Sequence, residues 1–252
     1  SWASLCRSFQ CVIDGSAMTD LLQHIRGSVI GAKLPIRTPF GSRPLVYADY
    51  TASGRALSFV EEFIQSRVLP VYANTHSETS FTGCCSSRFR EQARDRIRTS
   101  VNARSDDLVL FCGSGATAAV QKLVDILNLR IPHDLQRRYE LLERIPESER
   151  PVIFVGPYEH HSNELPWRES IADVVPISLT EQGEINADEL RTRLEEYADR
   201  PLKIGSFSAA SNVTGSKSDV DGLSALLHSH GALAFWDYAA AAPYVRIDMQ
   251  GA

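Results

Sequence analysis

From residue 108 onward, short apolar runs alternate with stretches of helical periodicity. The runs are Leu108 to Cys112, Val152 to Val155, Val174 to Ile177, Ile204 to Phe207 and Leu233 to Trp236. Between and after them, apolar positions recur at helical spacing over about Ala116 to Leu127, Ala187 to Tyr197 and Val220 to His230, the last closed by Gly231. Buried strands alternating with amphipathic helices predict a three-layer α/β/α arrangement around a mostly parallel sheet covered on both faces. Sheets of this kind bind ligands beyond the C-terminal ends of their strands, so the segments just after each run are where chemistry is expected.

The chain before residue 108 is less regular. "MTDLLQHIRGSVIG" predicts a short helix capped by Thr19 with Leu21, Leu22 and Ile25 on its apolar face. "KLPIRTPFGSRP" reads as irregular chain because of its prolines and glycine. A short strand ending at Asp49 follows, then a helix over about Ala56 to Val68 with Phe59, Phe63 and Ile64 as its buried stripe. Next comes an Arg-rich helix over Ser86 to Ala103 with Phe89, Ala93, Ile97 and Val101 on one face. Residues 130 to 150 form a charged, partly helical insertion.

Composition narrows the classes of partner. With 252 residues, 43% of them hydrophobic and 23% charged, the chain can bury a sizeable core, and its formal charge of -5 provides no basic footprint for nucleic acid. No uninterrupted apolar stretch is long enough to span a membrane. A small molecule is the expected partner. The five cysteines, Cys6, Cys11, Cys84, Cys85 and Cys112, are odd in number and form no CxxC pair, which argues for a reducing compartment rather than a disulfide framework or structural zinc. The N-terminal stretch lacks a continuous apolar core, is a poor signal peptide, and reads as an extension ahead of Met18.

Four strand-end segments carry candidate chemistry. "FCGSGATAAV" sets glycines ahead of a helix, leaving backbone N–H groups and the hydroxyls of Ser114 and Thr117 open to a phosphate; alternatively it is an ordinary tight turn with a Ser cap. The same letters satisfy a dinucleotide fingerprint, but no acidic strand end follows at the required distance. "GPYEHHSNELPW" places His160 and His161 between Glu159 and Asn163. Adjacent imidazoles rarely reach one ion, so a functional His160 beside a solvated His161 is favoured over a metal site. Asn212 lies in "SNVTG" and by itself reads as a turn former before Gly215. Asp237 ends an apolar strand, where a carboxylate needs a partner such as a protonated heteroaromatic nitrogen, unless it caps the following turn.

These segments, in this order, resemble the class V aminotransferases of pyridoxal-phosphate fold type I, near the cysteine desulfurase-like branch, over roughly Leu45 to Met249. "EHHSNELPW", "SNVTG" and "WDYAAAAP" carry the likeness, with "YADYTASGRAL" and "YANTH" in support. The resemblance implies pyridoxal 5'-phosphate as cofactor, an amino acid as substrate, a homodimer and a cytoplasmic location, with a mitochondrial one also open. It implies that His160 stacks on the pyridine ring, Asp237 holds the ring nitrogen protonated and Asn212 bonds the ring hydroxyl oxygen. Gly115, Ala116 and Thr117 would hold the phosphate, and His76 would lie near the substrate.

The same resemblance exposes departures. Ala240 stands where desulfurases carry Gln, and Ser77 where an Arg often follows the matched histidine, which leaves the reaction open among class V chemistries. The Schiff-base lysine of the family lies beyond the ring-binding Asp, whereas Lys33, Lys122, Lys203 and Lys217 all precede Asp237. The expectation is therefore a C-terminally truncated large domain over residues 45–252, after an N-terminal extension and helical arm over 1–44, with Leu108 to Cys112 lacking its neighbours in the sheet and a chain that does not fold stably alone. Two competing readings are a nicotinamide-binding Rossmann oxidoreductase and a non-catalytic truncated paralogue that pairs with a full-length subunit.

Overall fold

The computed structural model describes residues 18–75 and 77–251. They fall into two compact units, one up to Arg96 and one from Ile97.

The first unit is mainly helical. It contains α1 (Met18–Ser28), the hairpin β1 (Pro35–Thr38) and β2 (Gly41–Pro44), α2 (Ser58–Phe63), and most of α3 (Phe81–Ser100). The hairpin corrects the reading of residues 33–44 as irregular: Pro39 and Phe40 form a two-residue loop, Gly41 takes the left-handed φ of 89°, and the Thr38 hydroxyl accepts from the Phe40 amide. Conversely, the strand expected to end at Asp49 does not form. α1 begins at Met18, so Thr19 lies inside the helix rather than capping it. α2 also differs from expectation. After Phe63 it loosens into a π turn and then a 3-10 turn containing Pro70, and Phe63 and Ile64 remain 43% and 38% exposed, so the predicted stripe is largely unburied. α3 starts at Phe81, five residues earlier than the periodicity suggested; it buries Gly83, Cys85 and Ser87, while Ala93 and Ile97 stay exposed.

The second unit carries the sheet. Its elements are α4 (Gly115–Ile126), α5 (His133–Tyr139), β3 (Val152–Val155), α6 (His161–Arg168), β4 (Asp173–Pro176), α7 (Ala187–Glu196), β5 (Lys203–Ser208), α8 (Val220–Ser229) and β6 (Leu233–Asp237). The four strands run parallel in the order β4-β3-β5-β6. β3, "VIFV", is buried along its whole length because the pleat sends alternate side chains to opposite layers. Val152 and Phe154 join Leu190 and Leu194 of α7 and Leu223, Leu226 and Leu227 of α8. Ile153 and Val155 join Val124 of α4 and Trp167 of α6. A fully buried Leu contributes roughly 2–3 kcal/mol, whereas exposed ion pairs such as Arg168–Glu164 add little. Packing on both faces therefore holds the layers.

Four of the five expected strands are present within a residue or two of their predicted bounds. The exception is Leu108 to Cys112, which forms no strand; Leu108, Leu110 and Phe111 are 82%, 57% and 54% exposed. An apolar run becomes a strand only where a neighbouring strand takes its N–H and C=O groups, and it joins none of the described ladders. At the N-terminal ends of the strands Arg200 donates to the Arg150 carbonyl and the Asp173 carboxylate and lies 5.4 Å over the Tyr197 ring.

Candidate active site

The C-terminal edge of the sheet holds a buried polar ladder built from helix and strand periodicity. Glu159, Asn163 and Trp167 recur every four residues along one side of α6 and its approach, and Ser206 and Ser208 recur every two along β5. The two rows face each other. The Trp167 indole N–H donates to Ser206 Oγ at 3.0 Å, the Ser206 hydroxyl donates to Asn163 Oδ1 at 2.7 Å, and Asn163 Nδ2 donates to Glu159 Oε2 at 2.7 Å. Ser208 completes the ladder through its amide, 2.8 Å from Glu159 Oε1, and its hydroxyl, 2.6 Å from Oε2. Burial pushes the Glu159 carboxyl above its ordinary range, the donors from Ser208 and Asn163 pull it back, and the charge of Asp237 pushes it up again.

Asp237 enters this network through the register of the sheet. β5 and β6 pair Ser208 with Asp237, and the Ala209 amide donates to the Asp237 carbonyl at 2.9 Å. The half-buried Asp237 side chain accepts from the Ala239 amide through Oδ1, so it does cap the turn that follows, while Oδ2 has no hydrogen bond within the described residues.

A second link joins the starts of two helices. His160 caps α6: its Nδ1 accepts from the Ser162 amide at 3.2 Å and lies 2.9 Å from Ser162 Oγ. The Thr117 hydroxyl, in the first turn of α4, donates to the same Ser162 Oγ at 2.7 Å. α4 opens with left-handed glycines, Gly113 at φ 35° and Gly115 at φ 67°, and a Cβ on Gly113 would lie 2.8 Å from that of Ala118. The Ser114 side chain caps none of the helix amides. The first N–H groups of α4, including those of Gly115 and Ala116, are thus without intrahelical partners and point at any group seated there.

Of the expected site residues, Thr117 and His160 are brought together through Ser162, and Asp237 is brought beside Ser208 and so to Glu159. Asn212 sits exposed in the turn between Ser211 and Gly215, closed by the Gly215 amide on the Ser211 carbonyl, and its side chain has no hydrogen bond to the described residues. His76 lies outside the described residues. Lys203 donates to the Ala198 carbonyl at the start of β5, about 16 Å of strand away from Ser208. Lys217 lines an open cleft of about 670 Å³ with Ser218, Asp221, Tyr244 and Arg246. Among the described residues no group of three or more His, Cys, Asp and Glu is arranged to hold a metal, and Cys84, Cys85 and Cys112 form no disulfide with one another. Sequence reasoning missed Ser162, Ser206 and Ser208; the two-residue spacing of serines in "SFS" was the available signal, and its meaning depended on what faced that strand.

The aminotransferase class V family model matches residues 46–252. The chain belongs to the class V aminotransferase family. Among curated relatives of this class V chain, a protein described as "probable cysteine desulfurase" from Halalkalibacterium halodurans is 26% identical over 211 residues, covering 82% of this chain and 47% of the relative. A protein of the same description from Streptomyces coelicolor is 24% identical over 92% of this chain and 53% of its own length. The chain thus spans about half the length of the curated relatives it matches. Two solved structures share the fold: a NifS-like protein from Rickettsia africae, with a TM-score of 0.65 at 19% identity over 82% of this chain and 51% of that one, and the apo cysteine desulfurase of Thermococcus onnurineus, with 0.66 at 17% identity over 91% and 50%. The family is pyridoxal-phosphate-dependent, which agrees with the donor set at this edge: free helix amides for a phosphate, an exposed imidazole for a ring face, and a carboxylate for a ring N–H.

Proposed function

We propose that residues 45–252 form part of the pyridoxal-phosphate-binding large domain of a cysteine desulfurase-like class V enzyme acting on an amino acid. In this reading the amides of Gly115, Ala116 and Thr117 take the phosphate, while the Thr117 hydroxyl hydrogen stays on Ser162, and His160 covers one face of the pyridine ring. Asp237 holds a proton on the ring nitrogen, and Asn212 takes the ring hydroxyl oxygen. When bound, the cofactor supplies an electron sink for a carbanion on the substrate. Asp237 makes that possible by keeping the ring nitrogen positively charged, and the half-buried position of its carboxylate strengthens the pairing. His160 excludes water from the ring face. His76 is assigned to the substrate side from the family resemblance, as are the homodimer and the cytoplasmic location.

The observation that carries the proposal is the pair of links at one sheet edge, Thr117–Ser162–His160 and Glu159–Ser208 beside Asp237. Ala240 and Ser77, where desulfurases carry Gln and Arg, keep the reaction itself open among class V chemistries. Pyridoxamine 5'-phosphate tests the cradle, because it cannot form adventitious Schiff bases with surface lysines. Its fluorescence should titrate with the chain, and Asp237→Ala and His160→Ala should each weaken binding about tenfold or more, as loss of a charge-assisted bond or a stacking contact predicts. Binding that is absent, or indifferent to both substitutions, refutes the cradle.

A further inference from the structure

The Ser162 side chain joins two residues of the proposed cradle and has no role assigned to it there beyond that link. It is half-buried at the start of α6, with its hydroxyl between Thr117 Oγ1 at 2.7 Å and His160 Nδ1 at 2.9 Å. The directions of these bonds follow from elementary donor logic. The Ser162 backbone amide also points at His160 Nδ1, and an amide N–H can only donate, so Nδ1 must offer its lone pair. The Ser162 hydroxyl, facing the same nitrogen, must then donate as well. Its oxygen is left to accept, and Thr117 supplies that hydrogen.

We infer that Ser162 is a positioning residue that sets His160 in the Nε2–H tautomer and fastens its ring to the first turn of α4. The inference rests on the proposed cofactor reading only for its consequence: the group that grips the phosphate and the ring that covers the pyridine move as one body. The tautomer itself is a property of this chain alone. Because Ser162 and His160 lie two residues apart, the hydroxyl acts through the imidazole and need not touch the cofactor. An alanine at position 162 removes the 2.9 Å hydroxyl bond to Nδ1 and the link to Thr117 and leaves only the longer 3.2 Å amide contact, which loosens the ring and weakens the tautomer preference.

Nitrogen-15 spectroscopy of the histidine-labelled full chain reads the tautomer directly. At mildly alkaline pH the His160 signals, assigned by their loss in His160→Gln, should show an unprotonated Nδ1 and a protonated Nε2. In Ser162→Ala the two nitrogens should move toward averaged shifts, and Ser162→Thr, which restores the hydroxyl, should return them. Pyridoxamine 5'-phosphate affinity should fall about threefold to tenfold in Ser162→Ala and recover in Ser162→Thr, in keeping with the loss of a neutral hydrogen bond. A protonated Nδ1 in the unsubstituted chain, or shifts unmoved by Ser162→Ala in a variant with unchanged circular dichroism, overturns the inference. Should the unsubstituted chain bind no pyridoxamine 5'-phosphate, the cofactor reading fails, and the tautomer measurement still decides the role of Ser162.

Discussion

Glu159 shows how one buried carboxylate can serve both stability and the site. Its three donors, from the Ser208 amide, the Ser208 hydroxyl and Asn163, offset part of the cost of burying charge, but burial and the neighbouring Asp237 still hold its proton on more tightly than in the unfolded chain. The folded state therefore binds more protons above the ordinary Glu value, and stability falls as pH rises from that value through the folded one. Glu159→Gln removes this titration. Thermal melts between about pH 4.5 and pH 7.5 should show a smaller decline for the variant than for the parent chain; equal slopes would mean that Glu159 is ionised in both states over that range. The motif was legible as chemistry, but its division of labour was not. Letters alone singled out His160, whereas the neighbours that bind the ladder, Glu159 and Asn163, acquired partners only when β5 came alongside α6.

At the scale of elements, strands and helices of the second unit followed from periodicity because both faces of the sheet are covered, so tertiary context reinforced the local pattern. β5 adds a constraint visible only after packing. Gly205 lies mid-strand, and a Cβ built there falls inside van der Waals contact of Leu227 and Phe207, both fully buried. Gly205→Ala should therefore destabilise the chain by about 1–3 kcal/mol, as overpacking does, read as a lower midpoint in urea denaturation; an unchanged midpoint would show that α8 can shift away from the strand. The helices before residue 100 were less legible. α2 loosens at Ile64, and α3 buries small residues at Gly83, Cys85 and Ser87 instead of the Phe89, Ala93 and Ile97 face. Helical period was present in both, but what a helix buries depends on what lies against it.

For the whole molecule, the exposed segment around Leu108 is the feature with the broadest consequence. Leu108 and Leu110 expose apolar side chains in a segment that joins none of the described ladders, and β4 and β6 are the outer strands of the described sheet. Exposed apolar side chains and outer strand edges promote association between chains. The chain should self-associate with rising concentration in sedimentation experiments, and Leu108→Lys with Leu110→Lys should shift it toward monomer while leaving the circular dichroism unchanged. A parent chain that stays monomeric across the concentration range would sink this prediction.

The sequence by itself determined the family, the α/β class, four parallel strands and the position of the candidate residues at their ends, because apolar period and strand-end chemistry are local properties of a polypeptide. Tertiary structure alone decided that Leu108 to Cys112 stays outside the described sheet, that residues 33–44 close a hairpin, and that Ser162, Ser206 and Ser208 are the hands holding the site. Hydroxyls and backbone groups have no preferred partner until folding brings one within about 3 Å, and that proximity is a property of the packed molecule.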